Sequence, residues 1–314
     1  MTTALIIGSA GQDGRIISER LRREGLRVVG LDRGLAVDSA SGPLPPVDLL
    51  DPAQVAALVQ SVAPDEVYYL AAYHHSSEDR LPPDDGEVFR LSFDVHVRGL
   101  LNVLEGLRKN APKARLFYAA SSHIFGDHPP DPQDETTPLE PRCAYGITKI
   151  AGLQCCRFYR KKHALHASVG ILYNHESPWR REPFVTAKIV GAAVAIKAGA
   201  ARKLVLGDLA ARVDWGWASD YVEAMTRIVR LDQSDDFVVA TGETHSVQEF
   251  VELAFGAAGL DWRDHVEENP AVIVRHTGRL VGNAAKLRAR TGWKPSVTFP
   301  EMVRLLVEAR INER

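Results

Sequence analysis

The sequence predicts an α/β protein with a doubly wound parallel sheet and a smaller C-terminal domain interleaved with it. Short apolar runs alternate with segments of helical periodicity, a glycine-rich turn follows the first run, and the alternation weakens past residue 174. The 314 residues, 45% of them hydrophobic, suffice for a large packed core. In such folds, ligands bind at the carboxyl ends of the parallel strands.

The first unit of the alternation consists of a strand, a tight turn and a helix. Residues 4–7 are apolar, and apolar residues recur at helical spacing after the turn. A second apolar run over residues 28–31 ends at Asp32, so the order is strand, helix, strand, as a parallel sheet requires. Further strands are predicted over residues 66–72, 115–120 and 169–173, and further helices over 100–107 and 145–159.

The second half of the chain shows a weaker alternation. A helix is predicted over residues 185–197, a strand that returns to the sheet over 237–242, and helices over 247–258 and 300–309. Two segments, residues 33–46 and 76–90, have the composition of loops and are predicted to lie on the surface.

The composition excludes several classes of protein. The net charge is −2 and charged residues are spread along the chain, so we expect no nucleic-acid partner and no membrane partner. No apolar run approaches the ~20 residues of a membrane span and no leader precedes the first strand, so a cytoplasmic location is expected. The cysteines and the adjacent histidines lack the spacing of a disulfide framework or a metal site, so we expect no bound metal. These residues are Cys143, Cys155, Cys156, His74 and His75.

The turn after the first strand has the spacing of a dinucleotide-binding motif. Gly8, Gly11 and Gly14 form a G-x-x-G-x-x-G pattern, in which missing side chains let backbone N–H groups approach a pyrophosphate at the helix N-terminus. By itself the pattern also fits a tight turn without a ligand. Asp32 ends the second strand, where a carboxylate accepts hydrogen bonds from the adenosine ribose and repels a 2′-phosphate. This favours NAD over NADP, although Arg33 could still pair with a phosphate.

Three side chains form a candidate site for hydride-transfer chemistry. Tyr145 and Lys149 are four residues apart on a predicted helix and share one face. A nearby ammonium stabilises a phenolate, so we expect Lys149 to lower the pKa of Tyr145 from its ordinary value of about 10 and make it a usable acid or base. Ser121 follows a predicted strand and could hydrogen-bond the same substrate oxygen. A tyrosine and a lysine at this spacing also occur by chance.

The chain resembles the extended short-chain dehydrogenase/reductases and, within them, the GDP-mannose 4,6-dehydratases. The resemblance covers nearly the whole chain. Its most specific part is the Asn-His-Glu-Ser-Pro run followed by Phe-Val-Thr. The matching runs are residues 11–14 (Gly-Gln-Asp-Gly), 70–72 (Leu-Ala-Ala), 145–149 (Tyr to Lys), 174–178 (Asn-His-Glu-Ser-Pro), 184–188 (Phe-Val-Thr-Ala-Lys), 214–216 (Asp-Trp-Gly), 220–222 (Asp-Tyr-Val) and 292–295 (Gly-Trp-Lys-Pro).

The resemblance implies a reaction in which a bound nicotinamide oxidises the sugar at C4, water is lost across C5 and C6, and the hydride returns to C6. It places Ser121 in the position of the family threonine, makes Tyr145 the base at the C4 hydroxyl and makes Lys149 its support. His123 stands where the family carries the glutamate that moves the C5 proton. A neutral imidazole could accept that proton near neutral pH.

The resemblance also assigns binding roles. The cofactor would contact Gly8, Gly11, Gln12, Asp13, Gly14, Asp32, Arg33, Asp48, Leu49, Leu70, Ala71, Ala72, Tyr145, Lys149 and His175. A nucleotide sugar, with a GDP-linked sugar favoured, would contact Asn174, Glu176, Val185, Lys188, Arg212 and Arg275. The family arginine directly before Asp214 is displaced by one position to Arg212, and the family's proline and glutamate pattern is missing after Arg275, so the identity of the base stays open.

The resulting organisation is a Rossmann-type NAD(P)-binding domain over residues 1–173, with a return segment near 214–243, and a substrate-binding domain over 174–213 and 244–314. A homodimer through helices near residues 100 and 155 is expected from the resemblance. Two alternatives stay open because of His123. A 4-ketosugar reductase, a 4-dehydrogenase or an epimerase would need Ser121, Tyr145 and Lys149 without the glutamate, and a non-catalytic homologue would bind nucleotide only.

Overall fold

The computed structural model describes residues 1–73, 84–127, 129–272 and 280–313. The strands are β1 Thr3–Ile7, β2 Arg27–Asp32, β3 Leu35–Asp38, β4 Gly42–Leu44, β5 Glu66–Tyr69, β6 Arg115–Ser121, β7 His166–Leu172, β8 Asn174–Glu176, β9 Leu204–Leu206, β10 Arg212–Val213, β11 Trp215–Trp217, β12 Asp236–Val239, β13 His245–Ser246 and β14 Val266–Glu268. The helices are α1 Gln12–Arg23, α2 Pro52–Val62, α3 Asp85–Phe93, α4 Gly99–Asn110, α5 Ala144–His163, α6 Val185–Lys197, α7 Ala218–Val229, α8 Val247–Ala258, α9 Ala285–Thr291 and α10 Phe299–Asn312. A π-helical turn covers Asp94–Arg98, and short 3₁₀ turns cover Ser122–Phe125, Trp262–Asp264 and Pro270–Val272.

An eight-stranded sheet in the order β12-β7-β6-β5-β1-β2-β3-β4 forms the centre of the protein. The strands from β12 to β2 are all parallel, which confirms the predicted doubly wound parallel sheet. Their residues are buried because helices cover the sheet, which explains why the strands are apolar runs without alternation. The strand expected over residues 237–242 is β12, and it pairs with β7 as predicted.

The prediction of a surface loop over residues 33–46 is wrong, because β3 and β4 form an antiparallel hairpin that extends the sheet beyond β2. The carboxylate of Asp38 is buried and pairs with Arg27 on β2, with Arg27 Nη2 2.5 Å from Asp38 Oδ2. This pairing lowers the pKa of Asp38 to about 2. The hairpin has short strands, and Pro43 lies in the edge strand, which limits further pairing at this edge.

The predicted loop over residues 76–90 is also wrong in part, because α3 begins at Asp85; residues 76–83 lie outside the described ranges. The helix α3, the π-helical turn and α4 follow one another without a break, so the predicted helix over 100–107 is the second half of a longer helical segment. The helix α2 was not predicted. Its N-cap is Asp51, whose side chain accepts hydrogen bonds from the N–H groups of Ala53 and Gln54.

A second buried cluster lies outside the sheet. It joins α6, α8 and α10, and Trp215 packs in it against Phe250 and Phe299. Three two-stranded pairs accompany it: β8 with β11, β9 with β14, and β10 with β13. We call the eight-stranded sheet with its packed helices the sheet lobe, and the cluster of α6, α8 and α10 with β8, β9, β10, β11, β13 and β14 the small lobe. Among the described residues no helix is long and apolar enough to cross a membrane.

Candidate active site

The turn between β1 and α1 brings strand and helix into very close contact. Gly8 has φ +94°, and a Cβ on it would lie 2.6 Å from the backbone N of Ala71. A Cβ on Gly14 would lie 2.1 Å from the carbonyl oxygen of Gly8. Gly11 is the N-cap of α1, and in the described part of the chain no side chain caps this helix. The first-turn N–H groups are therefore available to an anion, as the spacing predicts.

Asp32 and Arg33 lie beside this turn at the end of β2. The Asp32 carboxylate accepts a hydrogen bond from the N–H of Ala10, with a distance of 3.0 Å between Ala10 N and Asp32 Oδ2. Arg33 has φ +48°, and its side chain is 91% exposed with Nε 3.9 Å from Asp32 Oδ1. The carboxylate is thus held at the turn, while the guanidinium extends into solvent.

Tyr145 and Lys149 lie on the first turns of α5, and Ser121 ends β6, so sheet and helix bring the three together. The Tyr145 side chain hydrogen-bonds to Ser121. Lys149 is fully buried; its Nζ donates to the carbonyl oxygen of Ala119 at 2.8 Å and lies 5.5 Å from the centroid of the Tyr145 ring. The structure therefore assembles the predicted set of side chains.

The expected direction of the Tyr145 pKa is wrong. Burial raises the pKa of Tyr145, and the positive charge of Arg180 and the hydrogen bond with Ser121 counter this only in part. Burial also lowers the pKa of Lys149 to about 7, with Asp13 acting in the opposite direction. Burial disfavours the charged form of Lys149. An argument from spacing assumes a fully protonated lysine and therefore overestimates how far it lowers the pKa of Tyr145.

His123 lies on the 3₁₀ turn that follows β6, beside Tyr145. The two rings meet edge to face, with centroids 5.9 Å apart and planes at 90°. The N–H of His123 donates to Ser121 Oγ at 3.3 Å. Gly146 permits this contact, because a Cβ there would lie 2.6 Å from the carbonyl oxygen of His123. The imidazole therefore belongs to the same cluster as Ser121 and Tyr145.

Gln12, Asp13 and His175, all expected at the cofactor, contact one another across the lobes. His175 Nδ1 donates to the carbonyl oxygen of Tyr173 at 2.7 Å, and Nε2 lies 3.0 and 3.1 Å from the two Asp13 oxygens. Gln12 Nε2 donates to the carbonyl oxygen of His175 at 3.0 Å, and Ser177 Oγ donates to Gln12 Oε1 at 2.8 Å. Both imidazole nitrogens face acceptors, which favours the protonated ring. Burial alone would lower the pKa of His175, but the Asp13 carboxylate raises it overall, and the same pairing lowers the pKa of Asp13.

The remaining residues expected at the cofactor lie on two segments near the turn. Asp48 is exposed and its Oδ1 accepts from the N–H of Leu50 at 2.9 Å. The carbonyl oxygen of Leu49 accepts from Asn102 Nδ2 at 3.0 Å. The run Leu70, Ala71 and Ala72 directly follows β5, and the N–H of Leu70 donates to the carbonyl oxygen of Ile7 at 2.8 Å. This run thus borders the glycine turn.

The residues expected at the substrate are dispersed. Asn174 and Glu176 lie on β8, which pairs with β11. Glu176 is buried; its Oε2 accepts from Thr186 Oγ1 at 2.7 Å and lies 3.2 Å from Arg180 Nε, so this carboxylate has structural partners. Val185 and Lys188 lie on the first turn of α6.

Arg212 and Arg275 do not extend this set. Arg212 is directed to the surface of the small lobe, where Nη2 donates to the carbonyl oxygen of Thr244 at 2.6 Å and Nη1 lies 3.3 Å from Glu249 Oε1. Arg275, like His74 and His75, lies outside the described residues. In the described ranges no group of three potential ligands could hold a metal ion.

Two residues near Tyr145 were missed by the sequence analysis. Arg180 stacks on Phe184, with 3.7 Å from its guanidinium carbon to the ring centroid, and its charge acts on Tyr145 and Asp13. Arg180 stands next to Arg181 in a segment without periodicity, and this pattern gives no sign of a site. His96, on the π-helical turn, contacts the Tyr145 ring edge to face with centroids 5.2 Å apart. A single histidine in an apolar helix carries no sequence signal.

The sequence and the fold are similar to those of known proteins. The family model described as GDP-mannose 4,6 dehydratase matches residues 5–306. GDP-mannose 4,6 dehydratase 1 of Arabidopsis thaliana is 39% identical, over 97% of this chain and 88% of the relative. The structure of RMD from Pseudomonas aeruginosa complexed with NADPH has a TM-score of 0.84 at 21% identity, covering 100% of both chains. A Thermus thermophilus UDP-glucose 4-epimerase in complex with NAD has a TM-score of 0.80 at 26% identity, covering 98% of this chain and 99% of the other.

Proposed function

The chain belongs to the GDP-mannose 4,6-dehydratase family, and we propose that it converts a GDP-linked hexose to the 4-keto-6-deoxy derivative. It is an NAD(P)-dependent sugar-nucleotide enzyme of the extended short-chain dehydrogenase/reductase type. The observation that carries the proposal is the cluster of Ser121, His123, Tyr145 and Lys149 at the carboxyl end of β6. Ligands of a doubly wound sheet bind at this edge.

The turn between β1 and α1 fits a nicotinamide dinucleotide. Its uncapped helix N-terminus suits a pyrophosphate. Gly8 and Gly14 allow the close approach of strand and helix, because a side chain at either position would collide with the backbone. When bound, the nicotinamide supplies a reversible acceptor of hydride. We propose NAD as the cofactor, because the carboxylate of Asp32 is held at the turn while Arg33 extends into solvent. Calorimetry should show tighter binding of NAD; tighter binding of NADP would mean that Arg33 dominates this site.

Tyr145 acts as the base that takes the proton of the C4 hydroxyl. Ser121, already bonded to Tyr145, is placed to hydrogen-bond the same oxygen. The basic form is the phenolate, and burial raises the pKa of Tyr145, so C4 oxidation should become faster as the pH rises. Lys149 stabilises the phenolate only while Lys149 itself is protonated. Because its pKa is about 7, this support weakens above neutrality and limits the gain in rate.

His123 acts as the base in the elimination step. Oxidation at C4 acidifies the C5 proton, and His123 takes it when its imidazole is neutral. The C6 hydroxyl then leaves as water with the proton from the imidazolium, which restores the neutral ring and leaves a double bond between C5 and C6. Return of the hydride to C6 and addition of a solvent proton to C5 then give the 4-keto-6-deoxy sugar. The edge-to-face contact with Tyr145 supports this role, because it places the two bases next to each other, with ring centroids 5.9 Å apart.

The nucleotide part of the substrate is placed in a pocket between β8, α6 and α10. Glu176, Ser177 and Arg180 line it on one side, and Leu306 and Arg310 line it on the other. It combines apolar surface with two guanidinium groups, and each guanidinium is paired with a carboxylate of the same pocket, Arg180 with Glu176 and Arg310 with Glu182 and Glu313. A diphosphate would bind there by taking the place of these carboxylates at the guanidinium groups. The domain boundaries stated above and the cytoplasmic location stay predictions.

A homodimer is proposed from the exposed apolar side chains of two helices in contact, α3 and α5. Phe89 and Phe93 on α3 are 42% and 46% exposed, and Phe158 on α5 is 51% exposed. Contiguous exposed apolar groups mark contact surfaces, and the contact between α3 and α5 brings these side chains onto neighbouring helices. The contact involves α5 as expected, and α3 continues into α4. Sedimentation of wild type and Phe158→Ser tests it: a monomeric wild type would contradict the proposal.

The decisive experiment incubates the protein with each cofactor and with GDP-mannose, UDP-glucose or dTDP-glucose in deuterated water. We expect a product from GDP-mannose that has lost one water and carries solvent deuterium at C5, with no net change of cofactor. Stoichiometric reduction of the cofactor without water loss would contradict dehydration and indicate a 4-dehydrogenase, or a 4-ketosugar reductase that runs in reverse. Conversion to an isomer of equal mass would indicate an epimerase. No turnover with any of these compounds would favour a nucleotide-binding homologue.

A further inference from the structure

A buried histidine joins three elements around the catalytic helix. His96 lies on the π-helical turn between α3 and α4 and is 0% exposed. A π-helical turn inside a helix widens the backbone locally, and such turns are frequent at functional sites. The reaction steps assigned above do not use His96.

The hydrogen bonds of His96 determine which of its two ring nitrogens carries the proton. The N–H of Tyr73 donates to Nε2 at 3.0 Å, so Nε2 carries no hydrogen. The proton therefore lies on Nδ1, which donates to Thr148 Oγ1 at 2.8 Å. The Thr148 hydroxyl in turn donates to the carbonyl oxygen of Ala144 at 2.8 Å. These bonds form a chain with a single direction, from the end of the β5 segment through the π-helical turn into the first turn of α5.

The same imidazole packs directly on the catalytic tyrosine. The rings of His96 and Tyr145 have centroids 5.2 Å apart and planes at 87°, within the range for edge-to-face pairs. α5 can approach the π-helical turn this closely because residue 152 is glycine; a Cβ there would lie 2.8 Å from the carbonyl oxygen of His96. The Tyr145 ring thus contacts two imidazoles, His96 and His123, each nearly perpendicular to it.

We propose that His96 is a positioning residue that orients Tyr145 and Lys149 for proton transfer. Its Nδ1–H anchors Thr148, the neighbour of Lys149, and its ring face limits the rotation of the Tyr145 side chain. Its Nε2 separately anchors the backbone of Tyr73, beyond the strand end that borders the glycine turn. This inference rests on the proposed function, since it assigns a role in the same proton transfer.

Two substitutions separate the two hydrogen bonds. The amide nitrogen of asparagine comes close to the position of Nδ1, so His96→Asn can keep the bond to Thr148 and loses the one to Tyr73. The amide of glutamine reaches the position of Nε2, so His96→Gln can keep the bond to Tyr73 and loses the one to Thr148. His96→Leu loses both. His166→Gln is the matched control, because His166 bonds the carbonyl oxygen of Leu231 at 2.8 Å at the start of β7.

The measurement is single-turnover reduction of the cofactor by the nucleotide sugar, together with KM and the thermal midpoint. A misplacement of about 1 Å can cost ~10²-fold in rate, so we expect His96→Leu and His96→Gln to lose roughly 10²-fold in hydride transfer with KM nearly unchanged. His96→Asn should recover most of that loss, and His166→Gln should match wild type. The proposal is overturned if the three His96 variants lose rate equally, or only in proportion to their thermal midpoints.

A second readout needs no turnover. Nitrogen NMR of wild-type protein labelled at histidine, with the His96 signals identified by their loss in His96→Asn, should show a hydrogen on Nδ1 and none on Nε2 at neutral pH. A hydrogen on Nε2 would overturn the positioning role even in an active enzyme. If the wild type converts no nucleotide sugar while the NMR shows the Nδ1-protonated ring, the proposed function fails and the arrangement around His96 stands.

Discussion

The sheet lobe and the small lobe are held together in different ways. In the sheet lobe, parallel strands pair in continuous register, and β6 alone matches seven consecutive residues of β7. In the small lobe, the paired strands are only two or three residues long, as in the pair β9 and β14. Its core is formed by three helices around Phe250 and Phe299. Local sequence therefore determines the first lobe far more than the second.

The difference shows in the candidate sites of the two lobes. Tyr145 and Lys149 share a helix, so their spacing alone placed them correctly relative to each other. The residues assigned to the substrate by resemblance have partners within the protein: Glu176 bonds Thr186, and Arg212 bonds Thr244. Substitutions in the sheet lobe should therefore change the chemical steps, whereas some substitutions in the small lobe should change little.

The largest effect is expected for Tyr145→Phe. Removing the hydroxyl removes the acid or base, which is worth up to ~10⁴ in rate, while the ring and its contacts with both imidazoles remain. Single-turnover reduction of the cofactor should fall to near background, with cofactor affinity by calorimetry nearly unchanged. Tyr118→Phe is the control, because its ring also lies near Lys149, 5.2 Å from Nζ. Equal loss in both variants would mean that Tyr145 acts only in packing.

A somewhat smaller effect is expected for His123→Ala. General-base help is worth roughly 10² to 10⁴, so exchange of the C5 proton and loss of water should fall by this factor. Oxidation at C4 should persist, because Tyr145 and Ser121 are unchanged. His123→Glu should restore elimination. If wild-type protein oxidises the sugar but never exchanges the C5 proton with deuterated water, His123 is not a base and dehydration is excluded.

The sequence predicted the sheet and the catalytic cluster but not what surrounds them. Apolar runs and a helical spacing report burial and faces, so β1, β6 and α5 were predicted close to their observed bounds. The hairpin β3–β4 was missed because its strands have only four and three residues and because its buried pair with β2, Asp38 with Arg27, is joined only in the fold. His96 was missed for the same reason, since its partners Tyr73 and Thr148 are distant in the sequence. Pairings between distant segments leave no periodic signal.

The contact between the lobes should depend on pH through Asp13 and His175. Because the pKa of Asp13 is lowered from 3.8, this group contributes stability above pH 3.8, and the contribution is lost as the pH falls through the folded-state pKa. Because the pKa of His175 is raised from 6.5, this group contributes stability below pH 6.5, and the contribution is lost as the pH rises through the folded-state pKa. Asp13→Asn should therefore lower the free energy of unfolding most between pH 3.8 and pH 6.5, by about 2 kcal/mol, and less in alkaline buffer.

Thermal unfolding of wild type and Asp13→Asn in weakly acidic and in alkaline buffer measures this dependence. The control lies in the small lobe, where His245 Nδ1 is 2.9 Å from Glu249 Oε2 in a more exposed pair. Glu249→Gln should cost less than about 1 kcal/mol, as exposed pairs do. Equal losses of stability in both variants would show that the pair of Asp13 and His175 contributes no more than the exposed pair of Glu249 and His245.

The smallest effect is expected for Arg212→Ala. Its guanidinium donates to the carbonyl oxygen of Thr244 at 2.6 Å and lies 3.3 Å from Glu249 on the surface, so it supports the small lobe and does not face the catalytic cluster. KM for the nucleotide sugar should change by less than about threefold, since exposed pairs contribute little. Arg180→Ala, which removes a guanidinium from the pocket beside β8, should raise KM by more than tenfold, since a charge-assisted bond to a diphosphate is worth ~1.5–3 kcal/mol. The reverse ranking would place the diphosphate at Arg212 and show that the short strands of the small lobe rearrange when substrate binds.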